Sequence, residues 1–231
     1  MKTSNKIFIS FLIFIFIGIT ALYIGSKYYV EHYDTHNFVE QEKPLPPFSV
    51  VVAEPGAQIH LKNGSERKIV QGFFKTKQPR FSSFVVRNDT LFVFEAKRDR
   101  NKLPRAQFMA NVFCENVKHF VAKEKSLVFL SGYQVDSIFI KVDNADLACQ
   151  NNNSNYIKLI AKNSRINFDF EKLNSMEVEL DKTRLDVKSK QRVNNLSGTL
   201  KNGSVAKLNL EGKVNLAMDK QSYFFKNKPE N

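Results

Sequence analysis

The chain has 231 residues, of which 42% are hydrophobic, and its formal net charge of +12 gives a sequence pI near 9.6. This length accommodates one domain of ordinary size, or one domain with a small module, and excludes a longer array of domains. The excess of positive charge favours anionic partners such as nucleic acid, phospholipid headgroups or acidic glycans.

The N-terminal sequence predicts a membrane-spanning helix over residues 7–26. Ile7 to Ser26 form twenty residues without a charge, bracketed by Lys6 and Lys27. A helix of this length is about 30 Å long, which matches the hydrocarbon core of a bilayer. Because positive charge precedes the helix, residues 1–6 are predicted to stay in the cytoplasm and the rest of the chain to be extracytoplasmic. The predicted location is therefore the cell membrane, with a single pass.

A cleaved signal peptide is the alternative for this segment. Its apolar region would be about 7 to 15 residues long and would end at a small-x-small cleavage site. The apolar run here is longer, and the best candidate site, in ITALYIGS, is a poor match, so an uncleaved anchor is favoured. Export in either form removes nucleic acid from the expected partners. The membrane itself and an anionic glycan or lipid headgroup remain.

The sequence contains two cysteines, Cys114 and Cys149. An oxidising compartment permits a disulfide between them. Two small buried hydrophobic side chains are the alternative, since free cysteines are often buried. The sequence leaves both open and favours the second.

Residues 27–47 are predicted to form a spacer, because they lack apolar periodicity and end in Pro44, Pro46 and Pro47. From Phe48 onward, runs rich in Val, Ile and Phe are interrupted by turn residues every 8 to 15 positions. This rhythm predicts an all-β region.

The segment from Lys62 to Arg105 carries twelve Lys or Arg against four Asp or Glu, a local balance of +8. It includes the polar insert KRDRNKLPRAQ, residues 97–107, which is either an anion-binding loop or a solvated connection. The candidate anion-binding residues are Lys75, Lys77, Arg80, Lys97, Arg98, Arg100, Lys102 and Arg105.

From about Val117 the sequence repeats itself. The segments IFIKVDNADLAC, IKLIAKNSRINF, MEVELDKTRLDV and LSGTLKNGSVAK begin at Ile138, Ile157, Met176 and Leu196, so their starts lie 19, 19 and 20 residues apart. Each has alternating apolar and polar residues, then a short polar corner and another apolar residue. The period is too short for a two-helix repeat and the alternation is that of a strand, so each unit is predicted to be one turn of a β-solenoid.

Stacked turns place equivalent residues about 4.8 Å apart, in ladders. One predicted inward ladder consists of Ile138, Ile157, Met176, Leu196 and Leu216, and another of Leu147, Ile166, Leu185 and Val205. The corners lie at 143–147, 162–166, 181–185 and 201–205, with a weaker earlier copy at 123–127.

One repeat contains a dense row of carboxylates, Asp169, Glu171, Glu177, Glu179, Asp181 and Asp186. These alternate with apolar residues, so strand geometry directs them into solvent. Catalytic carboxylates need a cleft that shifts their acidity, and a regular exposed ladder does not supply one. A helix over this stretch is the alternative, but it would scatter the apolar residues around its surface.

The chain resembles the head-GIN family, whose members carry the label “putative auto-transporter adhesin”. The resemblance rests on the block from Phe48 to Ala96, which ends in DTLFVFEA, and on the repeated corners that follow it. It implies a right-handed parallel β-helix on the cell surface or in the periplasm, with no catalytic residues. This chain differs from the family's small corners in carrying Arg165, Lys182 and Arg184 there.

Nucleotide-binding, hydrolase, zinc and calcium motifs are absent from the sequence, and the four histidines are scattered. We therefore predict no enzyme activity, no metal site and no cofactor. The predicted function is adhesion or the binding of anionic envelope polymers. The alternatives are a self-assembling envelope scaffold, with homo-oligomers formed through the solenoid ends, and a β-helix enzyme acting on polysaccharides. The solenoid domain is predicted to span residues 48–220, followed by a tail at 221–231.

Overall fold

The computed structural model describes residues 3–32, 38–74, 82–95, 109–115, 117–189 and 193–226. One N-terminal helix precedes a chain that is mostly β. The elements are α1 (Thr3–His32), β1 (Phe38–Pro44), β2 (Val50–Ala53), β3 (Gln58–Lys62), β4 (Lys68–Phe74), β5 (Phe84–Arg87), β6 (Thr90–Val93), β7 (Ala110–Phe113), β8 (His119–Ala122), β9 (Leu127–Ser131), β10 (Gln134–Asp143), β11 (Asp146–Lys162), β12 (Arg165–Asp181), β13 (Arg184–Ser189), β14 (Val193–Lys201), β15 (Val205–Leu208), β16 (Leu210–Met218) and β17 (Tyr223–Lys226).

The helix α1 contains 22 consecutive residues, Ile7–Tyr28, with a mean hydropathy of 2.7 and none of them buried. By length and composition this segment is able to cross a membrane. The helix continues to His32 and β1 spans Phe38–Pro44, so parts of both elements lie within residues 27–47, whose role as a spacer stays a prediction.

The C-terminal half is a parallel β-solenoid of about five turns, as predicted. β10 pairs with β11, β11 with β12, and β12 with both β13 and β14, always in parallel. Ile138 stacks on Ile157, Ile157 on Met176, and Met176 on Leu196. The first predicted ladder is therefore confirmed up to Leu196. The carboxylate-rich stretch is strand rather than helix, with alternating burial along β12.

Both ladders depart from the prediction in the last turns. Leu196 pairs with Val214 and not with Leu216, which lies opposite Gly198. In the other ladder Leu185 pairs with Ala206, and Val205 lies opposite Arg184. The first ladder shifts by two residues, with a register irregularity between Val193 and Asn195, so Leu216 stays on the inward face. In the other ladder the reason is an extra residue in the corner at 201–204, where both Asn202 and Gly203 have positive φ, 55° and 79°. One added residue reverses the faces of the strand that follows.

In the N-terminal half the spatial order of strands differs from the chain order. β2 lies between β6 and β8, and β3 lies between β7 and β9, all in parallel. β2 and β3 thus form one turn of the solenoid. β6 and β7 form the neighbouring turn toward the N-terminal end of the stack, and β8 and β9 form the neighbouring turn toward its C-terminal end. β4 pairs antiparallel with β7, and β5 pairs antiparallel with β6.

The buried core is continuous along the solenoid. All of its described buried residues lie between Leu45 and Leu210. The apolar faces of the strands thus pack against one another within the β domain.

Most turns reverse at a corner built from a residue with positive φ and a small residue after it. In the last turn Ser222 takes the small position, and neither Lys220 nor Gln221 before it has positive φ. The positive-φ residues include Lys125 (58°), Asn144 (52°), Asn163 (47°) and Lys182 (48°). The small residues that follow are all buried: Ser126, Ala145, Ser164, Thr183, Ser204 and, in the last turn, Ser222. Asparagine and glycine adopt this conformation at low cost, which explains their frequency at the corners.

The corner hydroxyls form a hydrogen-bonded ladder along the solenoid. The backbone N–H groups of Ala145, Ser164, Thr183 and Ser204 donate to the hydroxyl of the next corner, at Ser164, Thr183, Ser204 and Ser222 respectively, over 3.1–3.4 Å. Three of these hydroxyls also donate to a carbonyl of their own corner: Ser164 to Lys162, Thr183 to Asp181, and Ser204 to Lys201. The buried corner amides therefore have partners where no strand supplies one.

The ladder stops at Ala145, which has no hydroxyl. On the far side of this gap the buried Ser126 Oγ has no hydrogen-bond partner. The same residue type thus occupies a satisfied position at Ser204 and an unsatisfied one at Ser126.

Both cysteines are buried and unpaired. Cys149 aligns with Leu130, Leu130 with Leu61, and Leu61 with Val112. Cys114 follows directly after β7, so three strand spacings, about 14 Å, separate the two cysteines along the solenoid, which is beyond the reach of a disulfide. The alternative of buried thiols is confirmed. The Cys114 Sγ lies 3.0 Å from the Tyr133 hydroxyl.

Replacing Ser204 with Ala should destabilise the protein by about 1–3 kcal/mol, because the Thr183 N–H, which donates to Ser204 Oγ over 3.2 Å, loses its acceptor. The matched variant Ser126→Ala removes a hydroxyl without a partner, and its effect should be within about 0.5 kcal/mol of zero or stabilising. Urea denaturation of both variants measures the difference. Equal losses of stability in the two variants would show that the hydrogen bonds of the corner ladder do not stabilise the fold.

Both thiols should react very slowly with a disulfide reagent in the native protein. Burial raises the pKa of Cys114 to about 11 and raises the pKa of Cys149 as well, so the reactive thiolate is scarce at neutral pH. Thiol titration should give two reactive groups in guanidinium and almost none without it. A missing thiol in guanidinium, restored by a reductant, would reveal a disulfide.

Candidate anion-binding surface

The eight cations predicted to bind anions lie outside the described residues. Lys75, Lys77 and Arg80 fall between β4 and β5, and Lys97, Arg98, Arg100, Lys102 and Arg105 fall between β6 and β7. Their shared role stays a prediction. The described surface offers a second set of cations, which the stacking of the turns brings together.

Several carboxylates on the outer faces of the solenoid lie opposite a lysine of the neighbouring turn. Asp143, Lys162, Asp181 and Lys201 follow one another in a single register column. In other columns Asp169 lies opposite Lys188, and Asp186 opposite Lys207. The carboxylates of the acidic stretch are all exposed or half-exposed, as predicted. Opposite charges at strand spacing neutralise one another locally.

A further pair on neighbouring turns, Lys158 and Glu177, has defined hydrogen-bond geometry. Lys158 Nζ donates to Glu177 Oε1 over 2.8 Å, and the Tyr156 hydroxyl donates to Glu177 Oε2 over 2.6 Å. The hydrogen bonds from Lys158 and Tyr156 hold the pKa of Glu177 below its ordinary value. Glu177 therefore stays ionised at neutral pH, which suits an ion pair and not a general acid.

Three cations at the corners are arranged differently, and we call Arg165, Lys182 and Arg184 the basic corner. Arg165 and Arg184 are register neighbours on adjacent strands, and Lys182 is the positive-φ residue of the corner that leads into Arg184. All three side chains are exposed. Each is followed by a buried residue, Ile166, Thr183 and Leu185 respectively, so strand alternation and the corner turn these three side chains outward.

One carboxylate borders the basic corner in register, on one side only. Asp146 is the register neighbour of Arg165 on one side, whereas Arg184 lies between Arg165 and Val205. Within the described part of the chain, no carboxylate oxygen lies within 4.0 Å of the cationic nitrogens of these three residues. Two unit charges held at the strand spacing repel by about 0.9 kcal/mol in water, and a bound anion would relieve this repulsion.

The chemistry available at the basic corner is the binding of anions. Arginine presents a planar fork of N–H donors that matches carboxylate, sulfate and phosphate oxygens. Among the described residues, no group of three or more His, Cys, Asp or Glu is arranged to hold a metal ion. A small interior cavity near Tyr133 and Cys149 has no histidine, carboxylate or cation in its lining.

Sequence reasoning placed the candidate site where basic residues are dense along the chain. The basic corner is sparse in sequence, because Arg165 and Arg184 lie nineteen positions apart. The available signal was the repeat alignment, which sets these two arginines at equivalent positions of successive turns. Local charge density does not detect a cluster that forms between turns.

No family model matches the chain. No curated protein sequence matches it either. Among solved structures, the chain is similar to a “putative adhesin” from Bacteroides fragilis NCTC 9343, with a TM-score of 0.55 and 9% identity over 82% of this chain and 97% of the other.

Two further solved structures match at lower scores. A “putative adhesin” from Parabacteroides merdae ATCC 43184 has a TM-score of 0.46 and 11% identity, over 84% and 98% of the two chains. A “putative lipid binding protein” from Parabacteroides distasonis ATCC 8503 has a TM-score of 0.39 and 8% identity, again over 84% and 98%. At 9% identity, the Bacteroides fragilis structure shows a shared fold, and the head-GIN assignment stays a prediction.

Proposed function

We propose that the protein is a non-enzymatic, membrane-anchored protein of the cell envelope that binds anionic envelope polymers through its β-solenoid. The observation that carries this proposal is the basic corner, where Arg165, Lys182 and Arg184 are exposed and close in register. Elsewhere on the outer faces of the solenoid, several lysines lie opposite a carboxylate, as Lys188 does to Asp169 and Lys207 to Asp186.

Three features support the proposal. The regular spacing of turns suits a ligand that is itself a repeating polymer, because each added turn offers a further contact. The net charge of +12 favours the approach of an anion. The fold is that of a structure described as an adhesin, a name that fits a binding role.

The helix α1 supplies the anchor in this proposal. Its apolar segment Ile7–Tyr28 is about 33 Å long, and the lysines before it would keep the N-terminus in the cytoplasm. The solenoid would then lie on the extracytoplasmic side, where acidic glycans and lipid headgroups are available. The eight cations between β4 and β5 and between β6 and β7 would add to the anion-binding surface.

The double variant Lys182→Gln and Arg184→Gln should weaken binding to an immobilised sulfated polysaccharide, dextran sulfate, by about tenfold, since each exposed ionic contact contributes about 0.5–1 kcal/mol. The full chain in a neutral detergent is used, and the apparent Kd is measured as a function of salt. Binding should fall with increasing ionic strength.

The matched control is Lys188→Gln with Lys207→Gln, which removes the same net charge from positions that lie opposite Asp169 and Asp186. It should weaken binding by no more than about twofold. Equal losses of affinity in the two double variants would mean that binding depends on net charge alone and not on the basic corner. Salt-independent retention would overturn it. Vesicles of phosphatidylcholine with phosphatidylglycerol, tested in parallel, separate a lipid headgroup from a glycan as the source of the anion.

The full chain should remain in the membrane fraction after an alkaline carbonate wash, with an intact mass that includes residues 1–26. This follows from the unbroken apolar length of α1. A soluble product that starts shortly after the apolar segment would instead identify a cleaved signal peptide. Replacing Ile13 and Ile17 with Lys should release the protein, because each charge at the centre of a helix opposes insertion by about 3 kcal/mol.

A further inference from the structure

A strip of polar, mostly uncharged side chains crosses four neighbouring turns of the solenoid. One of its register columns consists of Ser137, Tyr156, Ser175 and Asn195. The residue before each of these belongs to the other column, which consists of Asp136, Asn155, Asn174 and Asn194. All eight are exposed or half-exposed, and Asp136 is the one charged member. We call these eight residues the amide strip.

The side-chain amides of the strip are tied to their neighbours across turns. Asn155 Nδ2 donates to Asp136 Oδ1 over 2.5 Å, and Asn194 Nδ2 donates to Asn174 Oδ1 over 2.6 Å. These bonds hold the amides in a fixed orientation, and each amide still carries a second N–H and further acceptor lone pairs. Because the side chains are exposed, these groups are open to a ligand. A group that is already oriented loses little conformational freedom when the ligand binds.

The strip contains one aromatic ring. Tyr156 is 36% exposed, and its hydroxyl donates to Glu177 Oε2 over 2.6 Å. This hydrogen bond anchors the polar end of the side chain, while part of the ring stays accessible to solvent. An anchored aromatic ring among hydrogen-bonding groups offers an apolar surface to a ligand that is otherwise polar.

An unpaired amide lies next to the strip. Asn153 precedes Asn155 by two residues on β11, and its Oδ1 is buried without a hydrogen-bond partner in the protein. It borders a small cavity that is also lined by Val135 and Ser154. Buried polar atoms are nearly always paired, so this amide marks a place where a group from outside the chain is accommodated. A hydroxyl group suits it, because a hydroxyl both donates and accepts.

We propose that the amide strip is a binding site for an uncharged glycan, separate from the basic corner. The hydroxyls of a sugar donate to and accept from asparagine amides, and the apolar face of its ring packs on Tyr156. The turns repeat at about 4.8 Å, so a chain of sugars laid along the strip meets hydrogen-bonding groups at every turn.

The charges around the strip favour a neutral ligand over an anion. Asp136 repels an anion, and Lys158, two residues after Tyr156, already donates to Glu177 over 2.8 Å. A protein partner fits less well, because the centre of a protein interface is usually apolar and this strip has a single aromatic side chain. An uncharged, hydroxyl-rich ligand matches the amides without leaving a charge unpaired.

The first test applies the full chain to an array of uncharged hexose and N-acetylhexosamine oligosaccharides. A polyoxyethylene detergent is used, because a maltoside detergent would itself present sugars. At least one neutral oligosaccharide should bind with a Kd below about 1 mM. Its affinity should change by less than about twofold between about 50 mM and about 500 mM salt, unlike the affinity for dextran sulfate.

The second test uses variants of the strip with the oligosaccharide that binds. Asn155→Ala with Asn174→Ala should weaken binding by about tenfold, because two hydrogen-bonding amides are removed. Tyr156→Ala should weaken it by at least about fivefold, whereas Tyr156→Phe keeps the ring and should change it by no more than about twofold. Asn167→Ala is the control, since Asn167 is an exposed amide in another register column, between Ala148 and Asp186.

The third test separates binding from folding at Asn153. Because its buried amide oxygen has no partner, Asn153→Ala should leave the midpoint of urea unfolding unchanged and weaken glycan binding by about fivefold. A lower midpoint with unchanged glycan affinity would show that this amide serves the fold and would contradict its role in the site.

Three results would overturn the proposal. The first is that no neutral oligosaccharide binds at about 5 mM. The second is that binding is lost in high salt or in the double variant Lys182→Gln and Arg184→Gln, which would place the ligand at the basic corner. The third is binding insensitive to the Asn155, Asn174 and Tyr156 variants, with circular dichroism showing that they are folded. Loss of dextran sulfate binding alone would instead contradict the proposed function and leave this site intact.

Discussion

The constraint on which the solenoid depends is the reversal of the chain at each corner without loss of hydrogen bonding. A residue with positive φ turns the backbone, and its N–H still donates to a carbonyl of the next turn, as Asn144 does to Lys162 and Asn163 to Asp181. The next residue turns inward, so it must be small. When it is Ser or Thr, its hydroxyl accepts the corner amide of the preceding turn, and the stack of turns stays satisfied at its tightest point.

The face that β15 turns toward the core follows from the number of residues in the corner before it. Corners at 143–145 and 181–183 use one residue with positive φ, and the corner at 201–204 uses two. The added residue moves Ala206 into the core in place of Val205. In the preceding strand, two neighbouring turns approach each other closely at Gly198, where φ is 128° and a Cβ would lie 1.8 Å from the Val178 carbonyl oxygen. Only glycine permits this close approach between turns.

Sequence reasoning recovered the features that depend on local periodicity. The two-residue alternation of β12 and the stacking of Ile157 on Met176 could both be read from the repeat, because a buried ladder requires apolar residues at fixed intervals. The insertion of β6 and β7 outside β2 and β3 could not, since it depends on which edge accepts a returning strand. Likewise, the basic corner depends on pairing between turns, and the eight cations selected by local density lie outside the described residues.

The solenoid separates the requirements of folding from those of binding. Inward positions are fixed by stacking, as the burial of Met176, Val178 and Leu180 shows, whereas the outward positions between them contribute little to the core. A substitution at Lys182 or Arg184 therefore alters the charge pattern without disturbing the ladders beneath. Successive turns are spaced by about 4.8 Å, so a ligand that contacts one outward cation also meets the side chains of the neighbouring turns. The contribution of one cation to binding therefore depends on those neighbours. The length of the stack then sets how many such contacts a polymer can make at once.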